Sequence, residues 1–339
     1  MRKKVVQVII LAITIPIVAA AVWAADYFLI PKVERTGIAA PVEEHLAEVK
    51  TQEEGQQDLL LDDTFPVMVE YFPEDMLDEP VQAGTGDMDD PEGTTIVGAS
   101  DDGVNRIVVT KTVKGAGDDK LTFFTADLLL RDIRELKACF AQDSFGENIY
   151  EKTSNMAERC QAVFAVNGDC YGWRDNGIVI RNGELFRDRP ARTGLVLYED
   201  GRMENYEETA TTGQAMTDRQ AWITFSFGPV LVHDQKAVIE KKESYKVDIK
   251  DISPNCPRTA IGKVSDNHFI FVVVDGRQSG YSKGIHLNEL ADLMQSMGCK
   301  EAYNLDGGAS STMYFKGQVV NHPSSQLGER IVSDCIFIN

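Results

Sequence analysis

Short apolar runs punctuated by Gly, Asn and Asp fill the chain from about Ile96 onward. Runs over Arg106–Lys111, Leu121–Leu130, Ala162–Asn167, Gly177–Ile180, Thr193–Tyr198, Ala221–Phe227, Arg258–Lys263, Phe269–Val274, Ala302–Leu305, Met313–Phe315 and Cys335–Ile338 are rich in β-branched and aromatic residues and predict strands. Asn182-Gly183, Asp200-Gly201 and Lys316-Gly317 read as hairpin turns between such runs. Two stretches have helical spacing. One covers about Ser154 to Cys160; the other covers Leu287 to Met297, where Leu287, Leu290, Met294 and Met297 share a face and Gly298 supplies the stop. Leu128 to Phe140 fits strand or helix. Many hairpins and few helices predict an α+β domain with a mainly antiparallel sheet packed on a few helices.

The N-terminus follows a different pattern. Arg2, Lys3 and Lys4 precede a stretch from Val5 to Ala25 whose polar side chains are Gln7 and Thr14. As a helix it would be about 31 Å long, enough for a hydrocarbon core of about 30 Å. Positive charge before it predicts a cytoplasmic N-terminus and an extracellular remainder. A cleaved signal peptide is the rival, with small residues at Ala19–Ala21 and Ala24–Ala25 for the cut, but the span is long for that role. We therefore expect a single-pass anchor in the cell membrane over residues 1–30, an acidic and largely flexible linker over 31–100, and the functional domain over 101–339.

Charge sharpens this division. The chain has 34 Lys+Arg against 53 Asp+Glu, a net charge of −19. Residues 31–100 hold eighteen acids against Lys32, Arg35 and Lys50, so they carry fifteen of those negative charges. Such a segment stays solvated and extended. The rest is near balance, which excludes nucleic acid as a partner, since phosphate backbones call for clustered Lys and Arg. Six cysteines form no CxxC pair and five scattered histidines form no HExxH, so a Cys/His metal centre is not expected. No P-loop, GxSxG or GxGxxG stands at a strand–helix junction.

Candidate chemistry sits where apolar strands stop. Ala162–Val166 runs into Asn167-Gly168-Asp169; Phe269–Val274 into Asp275-Gly276-Arg277; Ala302–Leu305 into Asp306-Gly307-Gly308, with Ser310 and Ser311 following. Arg258-Thr259 opens one strand, and Arg330 precedes the last. A carboxylate delivered to a Gly-rich turn makes an anion site, because glycine lets successive N–H groups approach a ligand. Arg258, Arg277 and Arg330 are bidentate anion ligands; Asp275 and Asp306 are paired carboxylates; Asn167 and Asn304 are orienting amides. This is the kit for breaking a glycosidic bond whose leaving group is a phosphate.

The ordered segments NGDCYG (Asn167–Gly172), IRNGELFRD (Ile180–Asp188), PRTAIG (Pro257–Gly262), VVDGR (Val273–Arg277), GIHLNELADLMQSMGC (Gly284–Cys299), AYNLDGGASSTMY (Ala302–Tyr314) and ERIVSD (Glu329–Asp334) resemble the phosphodiester glycosidase family. The resemblance covers about residues 100–339, and the anchor and spacer resemble its bacterial cell-surface branch. It implies a strongly curved sheet wrapped around helices. It also implies hydrolysis of the C1–O bond of sugar-1-phosphodiesters of the N-acetylglucosamine type, releasing sugar and a phosphomonoester, with anionic cell-surface glycopolymers such as exopolysaccharide as the expected substrate. Carried over, it implies Asp306, Asp275 and Asn167 as catalytic, and Asp169, Arg258, Thr259, Arg277, Asn304, Gly307, Gly308, Ser310, Ser311 and Arg330 as substrate-binding. No cofactor is required; a divalent cation beside Asp169 and Asp306 is compatible with the motifs. Two positions depart from the pattern: Ala309 replaces a third glycine, and Cys170 stands where the family is often bulkier. They keep open a binding module that holds anionic glycans without cleaving them. A metal-dependent phosphodiesterase cutting P–O bonds is a further alternative, one that calls for denser Asp/His ligands.

Overall fold

A computed structural model describes residues 29–36, 92–239 and 255–339. Their backbone builds an eight-stranded sheet in the order Lys236–Ala237, Val230–His233, Glu301–Asn304, Arg258–Ser265, His268–Val274, Leu121–Leu129, Arg106–Lys114, Gly93–Asp101. A five-stranded sheet runs Gln318–Val319, Met313–Phe315, Phe164–Asn167, Asp334–Ile338, Lys137–Phe140, and a three-stranded one runs Met203–Glu207, Thr193–Tyr198, Ala221–Phe225. Every pairing is antiparallel. All three hairpin turns read from the sequence join paired strands.

The main core lies between sheets. Phe124, Ala126, Phe269, Phe271, Val273 and Tyr303 from the large sheet meet Phe164, Val166, Met313, Phe315 and Ile336 from the five-stranded one, and Leu195, Leu197, Ile223 and Phe225 from the third. The alternate residues of the large sheet, Ala260, Ile270, Val272 and Val274, face outward and are covered by Leu287, Leu290, Ala291 and Met294 of the helix Leu287–Ser296. This two-sided burial is why Phe269–Val274 reads as an unbroken apolar run. The helix Thr153–Arg159 covers the outer face of the five-stranded sheet through Met156 and Ala157. The centre is therefore sheet on sheet, with helices outside it, a correction to the expectation of a sheet wrapped around helices. Aromatic and branched side chains at period two fill that space, and the short helices have too little apolar surface to replace them.

The ambiguous stretch Leu128–Phe140 resolves into the end of one strand, a single 3-10 turn at Ile133–Glu135 and the strand Lys137–Phe140. The expected linker is structured at both ends. Lys32–Thr36 pairs with Ser144–Glu147, and Gly93–Asp101 edges the large sheet, so the folded part begins before residue 101. Positions 37–91 of the linker lie outside the described residues. So does the expected span Val5–Ala25; among the described residues no helix is long and apolar enough to cross a membrane.

Candidate active site

Two sheets end at one place. The strand Glu301–Asn304 pairs with Arg258–Ser265, with Ala260 opposite Asn304. The pairing continues past the strand, as Leu305 N–H donates to Thr259 O at 2.8 Å and Gly308 N–H to Pro257 O at 2.8 Å. From the other sheet, Asn167 Nδ2 donates to Asp306 O at 2.7 Å, while Asn167 Oδ1 accepts from Thr259 Oγ1 (2.9 Å) and Thr312 N–H (3.1 Å). Asn167 is fully buried with both ends of its amide used. It and Thr259 fix the backbone that carries Asp306, so they position the carboxylate rather than meet a ligand.

The turn needs its glycines for different reasons. Gly308 has φ +64°, which L side chains rarely adopt; Gly307 lies so close to its neighbours that a Cβ would sit 3.0 Å from Pro257 O. Ala309 lies inside the 3-10 turn Gly308–Ser310 and is absent from the positive-φ residues, so replacing a third glycine there leaves the turn unstrained. The N–H groups of Gly308, Ser310 and Ser311 are spent on Pro257 O, Gly307 O and Gly308 O. The expected cradle of free N–H donors is corrected at these three positions, and two guanidinium side chains approach the same turn. A Cβ on Gly308 would meet Arg277 Nη1 at 3.4 Å, so the exposed Arg277 lies across the turn. Arg277 itself has φ +61°, an unfavourable conformation for a non-glycine residue. Arg258 is buried, gives Nε to Ile285 O at 3.4 Å and has no partner for Nη2. Burial and the repulsion of Arg277 hold its guanidinium below the usual arginine range, while Cys256 opposes them. Among the described residues neither arginine has a carboxylate ion-pair partner. Asn304 Oδ1, Ser311 Oγ and Thr312 Oγ1 are also buried without a protein partner.

Asp306 is half-buried and leads into this turn. Burial pushes its carboxyl up to about 6, with Asp169 adding to the rise, against hydrogen bonds from Ser310 and Gly307 N–H and the charge of Arg330. Asp169 is buried, with Oδ1 on Arg174 Nη2 (2.5 Å) and Oδ2 accepting from Ser226 N–H (2.7 Å). Both of its oxygens are thus engaged and its charge is met by Arg174. A divalent cation shared by Asp169 and Asp306, compatible with the sequence, has a poor fit here. Burial and the Asp306 charge push the half-exposed Cys170 thiol up, which keeps it protonated and a weak nucleophile.

Asp275 also lies at this end of the fold. Its Oδ1 accepts from Asn321 Nδ2 (2.8 Å), and its Oδ2 from Tyr281 Oη (2.8 Å) and His322 N–H (2.9 Å). Burial pushes it up to about 6, opposed by those three donors. Asn321 passes the contact on, donating to Ser311 O (3.0 Å) and accepting from Met313 N–H (2.8 Å). Asp275 therefore braces the far end of the Gly307–Ser311 turn, and the hydrogen bonds assign it positioning rather than the catalytic role expected of it. Asn304 Nδ2 likewise donates to Gly228 O at 2.8 Å.

Several contributors were not singled out in the sequence. Arg174 and Arg192 act on Asp169 and Cys170. Trp173 is 41% exposed, stacks on Tyr150 at 4.5 Å, and carries the Arg330 guanidinium 5.2 Å over its ring. An exposed Trp four residues after Asp169 was a usable signal. Arg181 and Asp334 form a fully buried ion pair at 2.8 Å behind the Asn167–Asp169 segment.

Comparisons with known proteins bear on the family and the fold. The family model described as phosphodiester glycosidase matches residues 160–339. An uncharacterized SPbeta prophage-derived protein of Bacillus subtilis (strain 168), YomE, is 34% identical over 204 residues, which is 58% of this chain and 30% of the relative's length. Among solved structures, the catalytic domain of zebrafish N-acetylglucosamine-1-phosphodiester α-N-acetylglucosaminidase, auto-inhibited by its pro-peptide, superposes with a TM-score of 0.56. That match has 18% identity and covers 77% of this chain and 87% of the other, a likeness of fold.

Proposed function

The chain belongs to the phosphodiester glycosidase family, and from that premise we propose that it hydrolyses the bond between C1 of a sugar and the oxygen of a phosphodiester. The products are the free sugar and a phosphomonoester. The observation that carries this reading is that Asp306, its carboxyl raised to about 6, leads into a Gly307–Gly308 turn that Arg258 approaches at Gly307 and Arg277 at Gly308. Arg258 and Arg277 hold the phosphodiester anion and keep holding it as it leaves, so the departing oxygen needs little protonation. Asp306 in its ionised form faces C1, stabilises the positive charge that develops there and takes the proton of the attacking water. Asn167, Thr259 and Asp275 hold the turn in register.

The name of the zebrafish protein supplies the substrate class, an N-acetylglucosamine-1-phosphodiester. With Val5–Ala25 as an uncleaved span, the domain stands outside the cell on its acidic spacer, where the substrate is a surface glycopolymer. The test is product analysis with a synthetic α-linked N-acetylglucosamine-1-phosphodiester. Free sugar and phosphomonoester support the proposal. Sugar-1-phosphate would mean P–O cleavage, and binding without turnover would make the domain a glycan-binding module.

Trp173 offers an exposed ring beneath Arg330, whose charge acts on Asp306, and we assign it to the sugar. Trp173→Ala is expected to raise KM by roughly tenfold with kcat changed less than about threefold, the signature of lost uniform binding. An unchanged KM in steady-state kinetics would remove the ring from the sugar subsite.

A further inference from the structure

Three of the six cysteines meet on the outer face of the five-stranded sheet. Cys139 and Cys335 are directly opposite one another on paired strands, and Cys335 is in turn opposite Asn167. Cys160, at the end of the helix Thr153–Arg159, brings its sulfur to 2.7 Å from Cys139 Sγ. Arg159 Nη1 lies 3.4 Å from the same Cys139 sulfur, while its Nη2 is fixed on Phe140 O (2.9 Å) and Glu151 (2.7 Å). Cys139 and Cys335 are buried; Cys160 is half-exposed.

We propose that Cys139 and Cys160 are a redox-active pair that closes to a disulfide by exchange with an external disulfide, Cys335 remaining a thiol behind them. The reach of the sulfurs sets the order of steps. Its hydrogen bond to Cys139 and burial keep the Cys160 thiol protonated at rest, so Cys160, the accessible one, passes its proton to the Cys139 thiolate 2.7 Å away as it attacks the external disulfide. It takes up one half as a mixed disulfide and releases the other half as a thiolate, which recovers that proton from Cys139. Cys139 then attacks the Cys160 sulfur and expels the second half as a thiolate. Two protein thiols are oxidised and one external disulfide is reduced. Cys139 is suited to the second step: hydrogen bonds from the Cys160 and Cys335 thiols, with the Arg159 charge, hold it well below the usual thiol range despite burial. Cys335 is unsuited to the first step, because it is buried where an external disulfide cannot reach it. The bond would tie the helix Thr153–Arg159 to the strand Lys137–Phe140, next to the row of residues that ends at Asn167. An exported chain meets conditions in which such a bond persists.

The experiment uses the full chain, reduced and then incubated with oxidised glutathione, followed by alkylation and peptide mass spectrometry. Two thiols should escape alkylation, with Cys139 and Cys160 recovered as one cross-linked peptide pair. The oxidised chain should melt roughly 5–10 °C above the reduced one, as expected for a link across a loop of about 20 residues. Dithiothreitol should abolish that difference, and Cys160→Ser should lack both the cross-link and the shift. Six alkylated cysteines after oxidation would overturn the proposal, as would a Cys139–Cys335 cross-link or a glutathione adduct on Cys160 that never resolves.

Discussion

Asp306→Asn is expected to fold like the parent and to lose about a thousandfold or more in turnover of a sugar-1-phosphodiester. The substitution keeps the size of the side chain and its hydrogen bond with Ser310, and removes the ionised form. The pH profile gives the sign independently. Burial places the carboxyl at about 6, so it is neutral below that pH and charged above it. A group that must be ionised to act makes kcat/KM rise tenfold per pH unit at the acid side and level off above about 6. A limb falling above 6 would instead make Asp306 the acid, and full activity in the amide variant would remove it from the chemistry. Asp275 titrates in the same range, so it is the necessary control. Its oxygens are held by Asn321, Tyr281 and His322, and Asp275→Asn should lower the melting temperature and leave the acid limb in place.

The site was legible where chemistry coincides with an apolar strand end. His268–Val274 and Glu301–Asn304 announce themselves as buried strands, and the first polar residue past each, Asp275 and Asp306, must emerge at the rim of the core. That Asp275 is held by its neighbours was not legible, because Asn321 and Tyr281 come from loops with no pattern of their own. The Asp275-Gly276-Arg277 turn shows the same limit. In an Asp-Gly turn glycine commonly takes the positive φ, yet here Arg277 takes it, and Gly276 is small because a Cβ would sit 2.6 Å from Gly284 Cα. Sheet order was hidden too: Glu301–Asn304 lies between Val230–His233 and Arg258–Ser265, neighbours that no local periodicity encodes. Arg181 and Asp334 were overlooked although each interrupts or opens an otherwise apolar strand, and a charge in such a place requires a partner.

That pair carries the largest expected effect on stability. Arg181 Nε donates to Asp334 Oδ2 at 2.8 Å, Nη1 donates to Ile180 O at 2.9 Å and to Thr224 O, and the guanidinium carbon lies 5.4 Å from the Phe225 ring and 5.9 Å from that of Tyr171. Both side chains are completely buried. Asp334 has no room to relax, since even a Cβ on Gly168 would fall 2.4 Å from its Oδ1. Burial pushes the Asp334 carboxyl up to about 6, with Asp169 adding to it and Arg181 opposing it. Removing one member strands the other charge in an apolar setting, so Asp334→Ala or Arg181→Met should each cost about 3–5 kcal/mol, read as a lower urea midpoint at neutral pH. Combining them removes both charges. The double variant should therefore be more stable than the sum of the singles by roughly 2 kcal/mol or more. Additive losses, or singles costing under about 1 kcal/mol, would mean that water reaches the pair. A further consequence separates stability from catalysis: Asp334 backs Gly168 through Gly168 N–H on Asp334 O at 3.1 Å, whereas Asp306 is held by Asn167. The double variant should consequently keep the acid limb near pH 6 even where its turnover falls.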